Sequence, residues 1–210
     1  MRVIAIENGQ FAQNCYLLVE PGSTDAALVD PGEEPELFLA RADEEGLTIR
    51  AIWLTHAHLD HISGVAAIRE ATGAPIYLHP DDHALYQNLP NQGRWFGLAL
   101  DPPPPVDHWL EHGGTVTLGR ATWTVRHAPG HSAGSVLFVR PGLVIGGDVL
   151  FQGSIGRTDL PSGDHDQLIQ SIRRELLTLP DDTTVWPGHG PPTTVGVERR
   201  TNPFLQEAER

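Results

Sequence analysis

Six residues constrain this chain more than any others: His56-Ala57-His58-Leu59-Asp60-His61 puts three histidines and a carboxylate into one short run. The preceding Ile49-Arg50-Ala51-Ile52-Trp53-Leu54 reads as a buried strand that ends at Thr55. Residues two apart after a strand point the same way, so His56 and His58 can chelate one ion. Asp60 and His61 open the following turn and face elsewhere. A single tetrahedral centre has difficulty accepting all four, so the run itself points to two neighbouring metals. Ordinary core packing has no use for so many polar side chains at one strand end.

Three further donors share that context, each just past an apolar strand at a glycine-marked turn. They are His131 in His127-Ala128-Pro129-Gly130-His131, Asp148 in Ile145-Gly146-Gly147-Asp148, and His189 in Trp186-Pro187-Gly188-His189. Donors at strand ends converge along one rim of a sheet, where open coordination positions can face solvent. Glycine lets backbone approach such a site without a Cβ clash. A carboxylate has two oxygens, so Asp148 is the candidate to bridge two ions.

Along the chain, Phe11 to Glu20 and Asp25 to Asp30 read as an antiparallel pair around Pro21-Gly22-Ser23. Glu33 to Glu45 has helical spacing and stops at Gly46; residues 61–72 form a short helix ahead of Gly73, and Ala74 to Leu78 returns as a strand. Residues 88–105 hold Trp95-Phe96 amid Gly, Pro and Asn and are expected to be irregular, serving as a lid or a plug. Strands are expected near 115–118, 122–127, 134–140 and 143–146, a helix over 164–179, a strand over 183–186 and a short helix over 198–207. No linker divides residues 1–210, so a single domain of two similar mixed halves is expected, with two sheets face to face and helices outside, an α+β arrangement.

Composition excludes several classes. A formal charge of −13 argues against nucleic acid, because phosphate binding needs clustered cations. No apolar run approaches the roughly 20 residues that span a bilayer, and no signal peptide is evident at the N-terminus. One cysteine, Cys15, rules out intrachain disulfides, so a cytoplasmic location is expected, with Cys15 as a buried small hydrophobe. His79 and His83, and His108 with His112, are expected in solvated or capping roles, and His127 and His165 as structural or surface residues.

The run from Thr55 to His61, followed in order by His131, Asp148 and His189, resembles the metallo-β-lactamase superfamily over nearly the whole chain. More narrowly, Gln13-Asn14-Cys15-Tyr16-Leu17, the stretch Asp148 to Asp159, and Pro187-Gly188-His189-Gly190 through Phe204 are similar to small glyoxalase II-like hydrolases. The resemblance implies an αββα sandwich of the metallo-β-lactamase fold. It implies one metal on His56, His58 and His131, a second on Asp60, His61 and His189, and Asp148 between them. The cofactors are then two divalent ions, zinc first, with iron or manganese as alternatives. The implied reaction is hydrolysis of a small-molecule thioester or ester, of the S-D-lactoylglutathione type, by a hydroxide bridging the ions.

Within that scheme Asp60 doubles as a possible proton acceptor, and Asp30 is an acceptor orienting a ligand histidine. Arg157 is a candidate for gripping a substrate carboxylate, or equally for an ion pair with Asp159. Only 21 residues follow His189, so no C-terminal helical glutathione-binding domain is expected. The alternatives are a persulfide dioxygenase-like oxidoreductase with one iron on His56, His131 and Asp148, or a metal-binding protein without turnover. β-Lactam hydrolysis is disfavoured, since Cys15 lies far from where a thiolate ligand would sit.

Overall fold

The computed structural model describes residues 1–207. Its first half runs β1 (Arg2–Asn8), β2 (Gln13–Val19), β3 (Asp25–Val29), α1 (Pro35–Glu44), β4 (Thr48–Trp53), α2 (Leu59–Ile62), α3 (Val65–Thr72), β5 (Ile76–Leu78), α4 (His83–Gln87), α5 (Leu89–Trp95) and β6 (His108–Trp109). Its second half runs β7 (Thr115–Leu118), β8 (Ala121–His127), β9 (Val136–Arg140), β10 (Leu143–Gly147), β11 (Leu150–Phe151), β12 (Ser154–Ile155), α6 (His165–Ser171), β13 (Thr184–Pro187), β14 (Thr193–Thr194), α7 (Val195–Thr201) and α8 (Pro203–Glu207).

Two six-stranded sheets result, ordered β1-β2-β3-β4-β5-β6 and β14-β13-β10-β9-β8-β7. Tight turns join the antiparallel pairs β1–β2 and β2–β3, whereas β3, β4 and β5 are parallel and need helical crossovers. The second sheet is an antiparallel meander from β7 to β10, then parallel where α6 carries the chain to β13.

Period-two alternation builds the layers. In β2, Tyr16 and Leu18 join Trp53, Trp123 and Phe138 between the sheets, while Cys15, Leu17 and Val19 face the other way onto Phe38, Ile62 and Ile68. The outer face of the second sheet is covered by Leu168, Ile169, Ile172 and Leu176. Between the sheets, Trp53 meets Trp123 edge-on at 6.0 Å and Phe138 at 5.2 Å, contacts worth roughly 0.5–1.5 kcal/mol each beyond area burial. Helix, sheet, sheet, helix is the architecture expected from the sequence.

Local departures have physical causes. The 61–72 helix is broken in two because Gly64 packs onto the 31–32 loop, its N–H donating to the Pro31 carbonyl at 3.0 Å. Residues 88–105 are not wholly irregular, since α5 occupies 89–95 with Pro90 in its first turn, where a missing N–H costs nothing. The helix expected over 164–179 is α6 continued by a π-helical turn, Ile172–Leu176. The last helix starts earlier, at Val195, capped by Thr194 Oγ1, and is interrupted at Asn202, ahead of Pro203. The hairpin of β11 and β12 falls where only loop was expected.

Candidate metal centre

Every donor singled out in the sequence lies beyond the C-terminal end of a strand: Asp30 after β3, the 56–61 run after β4, His131 after β8, Asp148 after β10 and His189 after β13. The two sheets are stitched together at this rim. Val136 N–H donates to the Thr55 carbonyl at 2.8 Å, and Asn14 N–H to the Gly188 carbonyl at 2.8 Å. Asn14 Nδ2 and Tyr16 Oη both donate to the Pro187 carbonyl, fixing the turn that presents His189.

Seven side chains meet there in two groups. His56 Nε2 and His58 Nδ1 lie 3.2 and 2.8 Å from His131 Nε2. Asp60 Oδ2 lies 3.1 Å from His189 Nε2 and 3.6 Å from His61 Nε2. Asp148 sits between the groups, with Oδ1 3.4 Å from His61 Nε2 and Oδ2 3.4 Å from His189 Nε2 and 3.6 Å from His131 Nε2.

Hydrogen bonds on the outer side decide which nitrogen carries the proton. His131 Nδ1–H donates to the Arg157 carbonyl at 2.8 Å, and His189 Nδ1–H to the Phe11 carbonyl at 3.1 Å. His61 Nδ1–H donates to Asp30 Oδ2 at 2.9 Å. Thr55 Oγ1 gives its own proton to Asp30, so it accepts from His56 Nδ1–H at 3.1 Å. Four imidazoles are therefore held with Nε2 lone pairs aimed inward, the arrangement a ligand histidine needs. His61 Nε2 and Asp148 Oδ1 are buried without any hydrogen-bond partner, and a cation would satisfy both. This donor set of five imidazoles and two carboxylates fits divalent zinc, iron or manganese.

Electrostatics divides the groups. Burial and then neighbouring imidazoles hold His56 well below the ordinary imidazole pKa and His58 at about 3, so both are neutral at pH 7. Burial also opposes charge on His61 and His189, but the facing carboxylates outweigh it, pushing His61 well up and His189 to about 9. Despite burial, the same pairing holds Asp60 and Asp148 low, chiefly through His61. Protons and a divalent cation compete for the space between these four side chains.

Asp30, expected to orient a histidine, is hydrogen-bonded to His61 Nδ1. It accepts from Thr55 N–H at 2.7 Å and from the Thr55 hydroxyl as well as from His61, so both of its oxygens are engaged by neighbours of the cluster. Its φ of 52° is left-handed, which a short polar side chain tolerates. Arg157 lines the cavity beside the cluster, but its guanidinium is largely exposed and paired bidentately with Asp159 at 2.7 and 2.9 Å. Its backbone carbonyl, not its side chain, reaches the cluster.

Several contributors were missed in the sequence. Asp82 is buried and accepts from Ala57 N–H, Ser132 Oγ and Gly134 N–H at 2.9, 2.8 and 2.6 Å, tying the 56–61 loop to the loop that carries His131. Gln92 clamps the same loop through Leu59 N–H and the Ala57 carbonyl. Neither falls in a periodic pattern or beside a donor, so nothing local marks them. Gly188 is obligatory: a Cβ there would run into the Asp148 carboxylate and stand 2.7 Å from His61 Cε1.

Outside the cluster, His79 and His127 pack on each other while His83, His108, His112 and His165 are exposed. His79 caps the turn at Asp81 and stacks on His127 at 4.0 Å and 14°. Asp81 makes this a third His/Asp group, but near-parallel rings cannot aim in-plane lone pairs at one ion, and His127 Nε2–H already donates to the Ala133 carbonyl. Cys15 is buried among apolar side chains.

Two facing sheets flanked by helices, with imidazole and carboxylate donors converging on one rim, define the metallo-hydrolase type of sandwich. Residues 8–189 match the metallo-beta-lactamase superfamily, and the chain belongs to it. It is 40% identical over 209 residues to "Hydroxyacylglutathione hydrolase GloC" of Haemophilus influenzae, covering 98% of each chain. Among solved structures it is similar to TTHA1623 in a di-iron-bound form, at 46% identity and TM-score 0.88 over 97% of this chain and 100% of that one. It is also similar to BLEG-1 B3 metallo-beta-lactamase, at 41% identity and TM-score 0.91 over 97% of this chain and 99% of that one. Among the described residues, no helix is long and apolar enough to cross a membrane.

Proposed function

We propose that this protein is a dinuclear metal-dependent hydrolase of thioesters. In this reading His56, His58 and His131 hold one divalent cation, Asp60, His61 and His189 hold a second, and Asp148 bridges them. When bound, the cations would acidify a water molecule and stabilise negative charge on a carbonyl oxygen. The chain's own residues bind, orient and exclude. Asp30, Thr55 and the carbonyls of Phe11 and Arg157 lock the imidazoles in one tautomer. Asp60, facing the cavity at the edge of the cluster, is placed to take the proton that water loses. The acyl carbon gains an oxygen, its bond to sulfur breaks, and the thiolate leaves with little need for a general acid.

The observation that carries the reading is the set of inward-facing imidazole nitrogens around Asp148, with His61 Nε2 and Asp148 Oδ1 both buried and without a hydrogen-bond partner. The resemblance to GloC, named as a hydroxyacylglutathione hydrolase, favours thioesters. The resemblance to BLEG-1 brings in a second reading, β-lactam hydrolysis. Protein reconstituted separately with zinc, iron and manganese should release thiol from a thioester panel that includes S-D-lactoylglutathione. His58→Ala should abolish this while leaving the circular dichroism unchanged. Hydrolysis of a penem without any thioester turnover would replace the first reading with the second.

A further inference from the structure

The cavity over the cluster measures about 400 Å³, and its walls contrast sharply with its floor. Asp60, Asp148 and the imidazoles form the floor. The walls are Phe11, Trp95, Phe96, Phe151, Ile155 and Leu160. Phe96 meets Phe11 edge-on at 5.0 Å, so α5 and the β1–β2 turn close one side with aromatic rings. Trp95 and Phe96 are 62% and 48% exposed, an unusual place for such large apolar side chains unless something covers them.

Polar capacity at the walls is meagre. The chain contains no lysine, and among the described residues Arg157 is the one arginine that lines the cavity, with its guanidinium engaged by Asp159. Gln92 spends its amide on the Ala57 and Leu85 carbonyls and the Leu59 N–H. Asn88 Oδ1 accepts from Asn91; Asn88 Nδ2 and the Ser154 hydroxyl, also at the wall, are neutral groups that cannot neutralise a carboxylate. A glutathione conjugate carries two carboxylates, an ammonium and two amides, each of which loses water on entering and needs a partner. These walls offer an aromatic or branched hydrocarbon much and a zwitterionic tripeptide little.

We propose that the substrates of this site are uncharged thioesters of aromatic or branched-chain carboxylic acids, and that glutathione conjugates are poor substrates. This rests on the thioesterase reading above. The hydrocarbon of the acyl group lies against Phe11, Trp95 and Phe96, with the thioester carbonyl over the cluster. One water is consumed; the C–S bond breaks as the C–O bond forms, and a carboxylate, a neutral thiol and a proton are released, with no change of oxidation state.

The test compares S-benzoyl-N-acetylcysteamine with S-D-lactoylglutathione on the metal-reconstituted protein, and on Trp95→Ala and Phe96→Ser. It adds calorimetric binding of two inert thioethers, S-benzyl-N-acetylcysteamine and S-methylglutathione. The expected result is a kcat/KM at least 10-fold higher for the benzoyl thioester. Both substitutions should raise its KM about fivefold or more with kcat little changed, and the benzyl thioether should bind the more tightly. Faster turnover of S-D-lactoylglutathione, with both variants indifferent to the benzoyl group, would overturn the inference and leave the hydrolase reading standing. If neither thioester is cleaved, that reading fails, and the thioether isotherms alone decide the pocket: tighter binding of S-methylglutathione refutes it.

Discussion

Asp30→Asn probes how the cluster is held, because it keeps shape and backbone preference while changing one atom. Asparagine tolerates the left-handed φ of 52°, so backbone strain does not enter. Asp30 accepts three hydrogen bonds, from Thr55 N–H, the Thr55 hydroxyl and His61 Nδ1–H. An amide has one oxygen, so whichever way it is turned, at least one buried N–H faces an NH₂ group. Leaving a buried donor unsatisfied costs about 1–3 kcal/mol. With the amide oxygen at the Oδ1 place the hydroxyl can rotate away but the imidazole cannot, so the cost falls on His61, whose ring turns or changes tautomer. With it at the Oδ2 place the cost falls on the Thr55 N–H, next to His56. Loss of such an orienting partner lowers metal affinity about 10- to 100-fold, or about 1.4–2.8 kcal/mol, which agrees with the donor penalty. The assay is zinc competition against a chromophoric chelator, with circular dichroism as the folding control. The zinc equivalent that His61 helps to hold should lose about 10- to 100-fold in affinity and the other less. Unchanged affinities in a folded variant would refute the reasoning.

Gly188→Ala forces a methyl group against the Asp148 carboxylate and His61 Cε1, so the purified variant should hold fewer metal ions than wild type by mass spectrometry. Full occupancy would show that the 187–189 turn yields freely. Burial and the stacked His127 ring lower His79 from 6.5 to about 4, so the unfolded chain binds an extra proton between those values. Stability should therefore fall as pH drops from about 6.5 towards 4. His79→Phe, compared with wild type after both are stripped by chelator, should flatten that slope in thermal melts; parallel curves would dismiss the effect.

Legibility in the sequence followed locality. The 56–61 run, His131, Asp148 and His189 could be read because each stands at a strand end next to a glycine or in a tight histidine spacing. The layers followed from period two, as in β2, where neighbouring residues serve different cores. Helix α5 was hidden because Pro90 and Gly93 look like loop signals, although one sits in the first turn and at the other a Cβ would stand only 2.9 Å from the Leu98 carbonyl oxygen. Asp82 was hidden for a different reason. Its partners lie 25, 50 and 52 residues away, and only the packed sheets bring them together. For Arg157 the sequence offered an ion pair with Asp159, which the structure has, but gave no sign that its backbone carbonyl would accept from His131 Nδ1–H.

Anomalous X-ray diffraction from zinc-saturated crystals tests the central idea most directly. The expected map has two separate zinc peaks, one touching His56, His58 and His131, the other Asp60, His61 and His189, with Asp148 reaching both. A single peak, or Asp148 and His189 turned away from the metal, would contradict it.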